Sequence, residues 1–182
     1  RNNGSIDEIE RKLLAVRNKR PQPSRDDKVI SGINSLIVIA LLQAGRSLNN
    51  SELSDKAASV MHNIVSKFWD GSSLGHSYYR GAFQKQSFLS DAGAALTAIS
   101  MLCETDSSWS DLMFKMSMYV NSFKEGNKWI ESKVEDFQVV YASWFDHPVP
   151  SSVSLAEMGL TRAAILNSEE TKSVDYRRPF QS

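Results

Sequence analysis

Apolar residues recur at helical spacing along most of this chain, and its segments differ in how much of each helix they cover. Ile6, Ile9, Leu13, Leu14 and Val16 share one face of a first helix that Ser5, Asp7 and Glu8 start and that Pro21 and Pro23 stop. Ser31 then opens a helix over 33–44 that is apolar nearly all round and is followed by Gly45, a pattern that implies burial on both sides. Ser51, Glu52 and Asp55 start a third helix. It turns Leu53, Ala57, Val60, Met61, Ile64, Val65 and Phe68 inward and carries Asp55, Lys56, Ser59 and Lys67 outward, so it reads as an outer, half-exposed helix.

The same order then repeats. His76 to Ser87 reads as a short hairpin with Arg80-Gly81 at its turn; Ser90 starts another apolar helix over 92–103; and 108–123 is amphipathic, with Leu112, Met116, Tyr119, Val120 and Phe123 on its face. Glu125-Gly126 ends that outer helix as Asp70-Gly71 ended the earlier one, and a strand over 128–132 takes the place of the hairpin. Pro148 and Pro150 precede a third inner helix, 151–166, and the polar stretch 167–182 reads as an extended tail. Inner helices therefore begin near Ser31, Ser90 and Ser151, about sixty residues apart, longer than the roughly 33 to 47 residues of common solenoid repeats and suited to long helical hairpins with an added β-turn. The expected fold is all-α: a single segment of an incomplete (α/α) toroid, about three helical hairpins with short β-hairpins between them. Part of a ring leaves inner-helix surface bare, so further toroid segments or another chain are expected to cover the open edge.

Composition narrows the chemistry. The 21 Lys and Arg balance the 21 Asp and Glu, which removes the electrostatic reason to expect nucleic acid or an anionic membrane. The apolar run 36–42 is short for a bilayer span and no signal peptide is visible, so no membrane association is expected and a cytoplasmic location is favoured. Cys103 is the only cysteine and lies in an apolar run, as a small hydrophobe would. Paired-cysteine zinc patterns, His-Glu-x-x-His, Gly-x-Ser-x-Gly and Gly-rich phosphate loops are all missing, so no metal or cofactor is expected.

The stretch from Lys12 through Arg17, Arg20, Pro21, Pro23, Asp26, Asp27 and Lys28 to Val29, followed by Asn34 and an apolar helix, resembles the YyaL-like family. Phe88-Leu89-Ser90-Asp91 looks like that family's Phe-Leu-acid-Asp helix start, and Asp146-His147-Pro148-Val149-Pro150-Ser151 looks like its Asp-Gly-x-x-Pro-Ser element. The resemblance implies a toroid similar to N-acylglucosamine 2-epimerases and six-hairpin glycosidases. It also implies a thioredoxin-like domain upstream, with this chain holding only the middle of the toroid and no redox chemistry. The chain departs from the family pattern at Ser24, Ile33, Ser35, Ala92 and Val153, where groups that would line the toroid mouth are replaced. Those losses predict weak or absent catalysis.

The candidate chemistry follows from these positions. Asp91 and Asp146 precede inner helices, whose ends converge on a toroid's central cavity, and could form a carboxylate pair for acid–base work or glycoside hydrolysis. His76, in the hairpin, is the histidine best placed as a base among His62, His76 and His147. Arg17, Arg20, Asp26, Lys28 and Asn34 could bind sugar hydroxyls or a carboxylate, and Tyr79 and Trp144 could stack on a pyranose. The same residues have structural uses: Asp91 and Asp146 as helix-start and turn residues, the charged run as ion pairs at a helix end, and the aromatics as core. A carbohydrate is the expected ligand; an active sugar epimerase or glycosidase, and a non-enzymatic scaffold, are the alternatives.

Overall fold

The computed structural model describes residues 3–86, 88–133 and 138–170. The chain runs α1 (Asn3–Asn18), β1 (Val29–Ile30), α2 (Ser31–Leu48), α3 (Ser51–Phe68), β2 (Ser77–Tyr79), β3 (Ala82–Gln84) and α4 (Leu89–Cys103). After a single 3-10 turn at Ser107–Trp109 come α5 (Ser110–Asn121), β4 (Lys124–Glu125), β5 (Lys128–Trp129) and α6 (Ser152–Glu170). Helices α2, α4 and α6 form an inner row with α4 in the middle, while α3 backs α2 and α5 backs α4. This is the inner-then-outer order of a partial helical toroid.

Small residues set the spacing of the inner row. A Cβ on Gly93 would lie 2.8 Å from the Ala156 backbone nitrogen, and one on Gly159 would lie 2.9 Å from Leu96 and 3.1 Å from the Thr97 nitrogen, so α4 and α6 meet almost backbone to backbone. Helix α4 is buried from Asp91 to Leu102, as expected of a helix apolar on every side. Phe68, Met61, Trp109, Met116 and Phe123 fill the layer between inner and outer helices.

The turns that link outer to inner helices repeat as well. β1, β2 and β3 form an antiparallel sheet in that order, with Tyr78 opposite Phe83, and Arg80 and Gly81 take positive φ (45° and 88°) in its two-residue turn, the conformation that matches strand twist. The start of α2 is pinned to this hairpin by Ser31 N–H to His76 C=O at 2.9 Å. The start of α4 is pinned one unit later by Leu89 N–H to Glu131 C=O at 2.8 Å.

Four sequence expectations change. Gly45 does not end α2: the helix continues to Leu48 and closes on left-handed Asn49 (φ 50°), and Gly45 instead admits the Ser54 side chain, whose Oγ would sit 2.7 Å from a Cβ there. Helix α3 is capped by Asn50, which accepts the Glu52 N–H, rather than by Ser51. Helix α4 begins at Leu89, so Ser90 lies inside its first turn. Helix α6 continues past the boundary drawn at 167 as far as Glu170; the rest of the predicted tail, 171–182, lies outside the described residues.

The edges of the inner row are open. Along α2, Ile33 and Ile37 (each 47% exposed) and Leu48 (70%) line up with exposed Ala40; along α6, Met158 and Ile165 are exposed with Thr161 between them. Every described side chain of α1 is exposed, including Ile6, Ile9 and Leu13. The run 36–42 understates α2, whose 18 residues are long and apolar enough to cross a membrane by length and composition alone. Its inward side, Ser35, Val38 and Leu42, is buried between α3 and α4, as a core helix would be.

Candidate functional site

The starts of α2 and α4 meet over one buried carboxylate. Asp91, in the first turn of α4 and 2% exposed, receives His76 Nδ1 on Oδ2 at 2.8 Å and the Gly32 N–H on Oδ1 at 3.0 Å. Its Oδ2 also faces the Phe88 N–H at 3.4 Å. The fit at Gly32 excludes any side chain, because a Cβ would stand 2.5 Å from Asp91 Oδ1 and 3.0 Å from its Cα. Beneath it, Ser31 Oγ donates to the Gly75 carbonyl at 2.7 Å, so hairpin and helix start hold each other.

Burial pushes the Asp91 carboxyl above its ordinary value of 3.8, and the bonds from His76, Gly32 and Phe88 pull the other way. The two backbone donors require Asp91 to accept, which leaves Nδ1–H on the imidazole as the matching donor and frees Nε2 to act as a base. The His76 side chain is 23% exposed and its ring meets Phe88 edge-on at 4.8 Å. Such a histidine can take up a proton at Nε2 while its orientation stays fixed from behind.

The structure joins His76 to Asp91, while Asp146 is engaged in a turn of its own. Asp146 Oδ1 accepts the Ser151 N–H at 2.8 Å, and Ser151 Oγ accepts the Ser154 N–H at 3.1 Å, so Asp146 orders the turn that starts α6. Asp91, only 2% exposed and with both oxygens engaged, presents no face to a glycoside, so the structure gives it the part of a partner to His76.

The other predicted binders scatter. Asn34 Nδ2 turns back to the Ile30 carbonyl at 2.8 Å. Arg17 lies in the last turn of α1 and Arg20 just beyond its end, and the Gln22 side chain donates to both their carbonyls at 3.1 Å. Asp26 accepts the Lys28 N–H at 3.1 Å, and Arg25 rather than Arg17 or Arg20 pairs with Asp27. Arg80 lies over the Tyr79 ring at 5.1 Å. Trp144, 65% exposed, flanks a cleft of about 260 Å³ with Trp129 and Tyr141. His62 is an exposed residue of the outer helix α3, its Nδ1 2.9 Å from the Ala58 carbonyl.

Two features escaped the sequence. Gly32 carries no motif, and its role is visible only once α4 lies beside α2. A cleft of about 640 Å³ between the end of α3 and α5 gathers Lys85, Lys115 and Lys133 with Trp69 and Tyr119; its lysines come from separate segments, so no local run signals it.

Helix order and the hairpins at one end of the inner row define the class of fold: part of a helical (α/α) toroid. Among solved structures the chain is similar to a sugar epimerase from a ruminal bacterium, with a TM-score of 0.53 and 13% identity over 84% of this chain and 40% of that one. The chain thus spans less than half the length of that structure, and the likeness is one of fold. No family model and no curated protein matches, and none of these comparisons supports the YyaL-like resemblance beyond the helical toroid fold.

Proposed function

We propose that this chain is a carbohydrate-processing segment of an epimerase-type toroid in which His76 is the proton-transfer group and Asp91 positions it. The observation that carries this reading is the 2.8 Å bond from His76 Nδ1 to a carboxylate that is itself buried and held by a backbone N–H. Epimerisation beside a sugar carbonyl removes a proton from carbon and returns it to the opposite face. A neutral imidazole of fixed orientation suits the removal, and a second group on the far side of the ring would complete the exchange.

His76 does not line the lysine cleft or the Trp144 cleft. On this reading its binding cavity is walled by further hairpins seated against α2 and α6, supplied by more of the same polypeptide or by another chain. The motifs that resemble the YyaL-like family support that arrangement, with a thioredoxin-like domain upstream. The replacements at Ser24 and Ile33, both exposed, thin the cavity lining and point to slow catalysis, whereas Ser35 is fully buried between α3 and α4 and lines no cavity. A scaffold without activity is the second reading, favoured by the apolar stripe of Ile33, Ile37 and Leu48.

Thermal-shift and calorimetric screening of the full-length protein, with the rest of the toroid in place, against neutral monosaccharides and oligosaccharides tests the carbohydrate reading. At least one sugar is expected to raise the melting temperature of the wild type and not of His76→Gln. A flat response across the panel overturns carbohydrate recognition and leaves the scaffold.

A further inference from the structure

The 640 Å³ cleft lies apart from His76 and has its own chemistry. Its floor is aromatic: Trp69 meets Tyr119 edge-on at 5.7 Å, and Met118 extends the apolar surface. Around it stand three ammonium groups, Lys85, Lys115 and Lys133, and among the described residues the lining includes no carboxylate.

Among the described residues, two acids on the flanking elements have partners of their own. Asp70 accepts the N–H and hydroxyl groups of both Ser72 and Ser73, which holds it well below the usual carboxylate range and directs it into its own turn. Asp111 pairs with the cleft's own Lys115 at 2.7 Å across one helical turn and offsets that charge, so the anion is left to Lys85 and Lys133. Lys133 donates to Ser122 Oγ and lies over the Phe123 and Tyr119 rings at 4.5 and 5.1 Å; partial burial lowers its pKa. Like charges gathered in a concave site raise the local concentration of anions. The volume lies within the roughly 300–1,000 Å³ of small-molecule sites.

We infer that this cleft binds an anionic monosaccharide, its phosphate or carboxylate between Lys85 and Lys133 and its C–H face on Trp69. The sugar half of that ligand rests on the carbohydrate reading above; the anionic half rests on the lysines. Ser72 and Ser73 give their hydroxyl protons to Asp70 and so offer oxygen lone pairs at the rim, suited to accept from sugar hydroxyls.

The test is calorimetric titration of the full chain at low salt with glucose 6-phosphate, glucuronate, inorganic phosphate and glucose. Glucose 6-phosphate or glucuronate is expected to bind at least tenfold more tightly than glucose, and glucose 6-phosphate more tightly than inorganic phosphate; which sugar acid wins identifies the anion. Lys85→Gln with Lys133→Gln weakens that binding roughly a hundredfold, about tenfold for each charge-assisted hydrogen bond removed. The surface pair Lys85→Gln with Lys115→Gln gives a smaller loss, and serves where the first variant fails to fold. Trp69→Ala removes the preference for the sugar over inorganic phosphate. No anion binding, binding indifferent to the lysines, or equal affinity for inorganic phosphate and glucose 6-phosphate overturns the inference. Binding of glucose without either sugar acid overturns it too, while leaving the carbohydrate reading in place.

Discussion

Asp91 joins two helix starts and a hairpin through one side chain. Asp91→Ala would strand the Gly32 N–H and release His76, costing about 1–3 kcal/mol for each buried donor left without a partner. Asp91→Asn is more informative: the amide oxygen still accepts from Gly32, but the amide NH₂ facing Nδ1 selects the opposite imidazole tautomer. Long-range proton–nitrogen spectra are therefore expected to show Nδ1–H in the wild type and Nε2–H in Asp91→Asn. Stability follows the raised carboxyl. A group whose folded pKa lies above 3.8 contributes most in its protonated form below that value, and the contribution fades as pH rises through the folded pKa. The asparagine cannot ionise, so the melting temperature of Asp91→Asn relative to wild type should rise from pH 3.5 towards neutrality; a difference that falls with pH contradicts the assigned burial. The sequence marked both His76 and Asp91 but paired the aspartate with Asp146. The two partners lie fifteen residues apart across a strand pair, a distance at which no helical or strand period puts side chains together.

Among the elements, the repeat of inner and outer helices was legible because α2 and α4 are apolar on nearly every face while α3 and α5 are not. What sequence could not separate was glycine as a helix stop from glycine as a contact point. Gly45 reads as a cap, yet it stays helical because Ser54 of α3 packs where a side chain would be. Gly93 does the same between α4 and α6. Gly93→Ala drives a methyl into the Ala156 and Leu155 backbone, which cannot move aside as a side-chain tip would, and should cost about 1–3 kcal/mol in denaturant unfolding. An unchanged midpoint would mean that the two helices are not this close. At the other end of the row, Glu104 takes both Arg46 of α2 and Arg162 of α6, bridging helices that flank α4.

For the whole molecule, a fold with a filled layer between inner and outer helices coexists with apolar stripes on both outermost inner helices. Alternating inner and outer patterns forecast those edges, but the all-round apolarity of α2 hid which side would be covered. Monomers rarely expose such contiguous surface without a partner. The chain alone is expected to self-associate with rising concentration in sedimentation equilibrium, and Ile33→Glu with Ile37→Glu to suppress this without lowering the melting temperature, since both side chains are nearly half exposed. Association unaffected by these changes would move the interface elsewhere. The lysine cleft also belongs to this scale, because it exists only where α3, the β-hairpins and α5 come together.

The central claim is that His76, held by Asp91, moves a proton on a sugar. It is tested most directly by incubating the full-length protein, with the rest of the toroid in place, in deuterated water with a panel of reducing sugars and following carbon-bound hydrogen by NMR. Deuterium should enter at the carbon beside the carbonyl of at least one sugar, at a rate that His76→Gln lowers by about a hundredfold or more. Exchange at the same rate in His76→Gln, or none above the enzyme-free rate with any sugar, contradicts it.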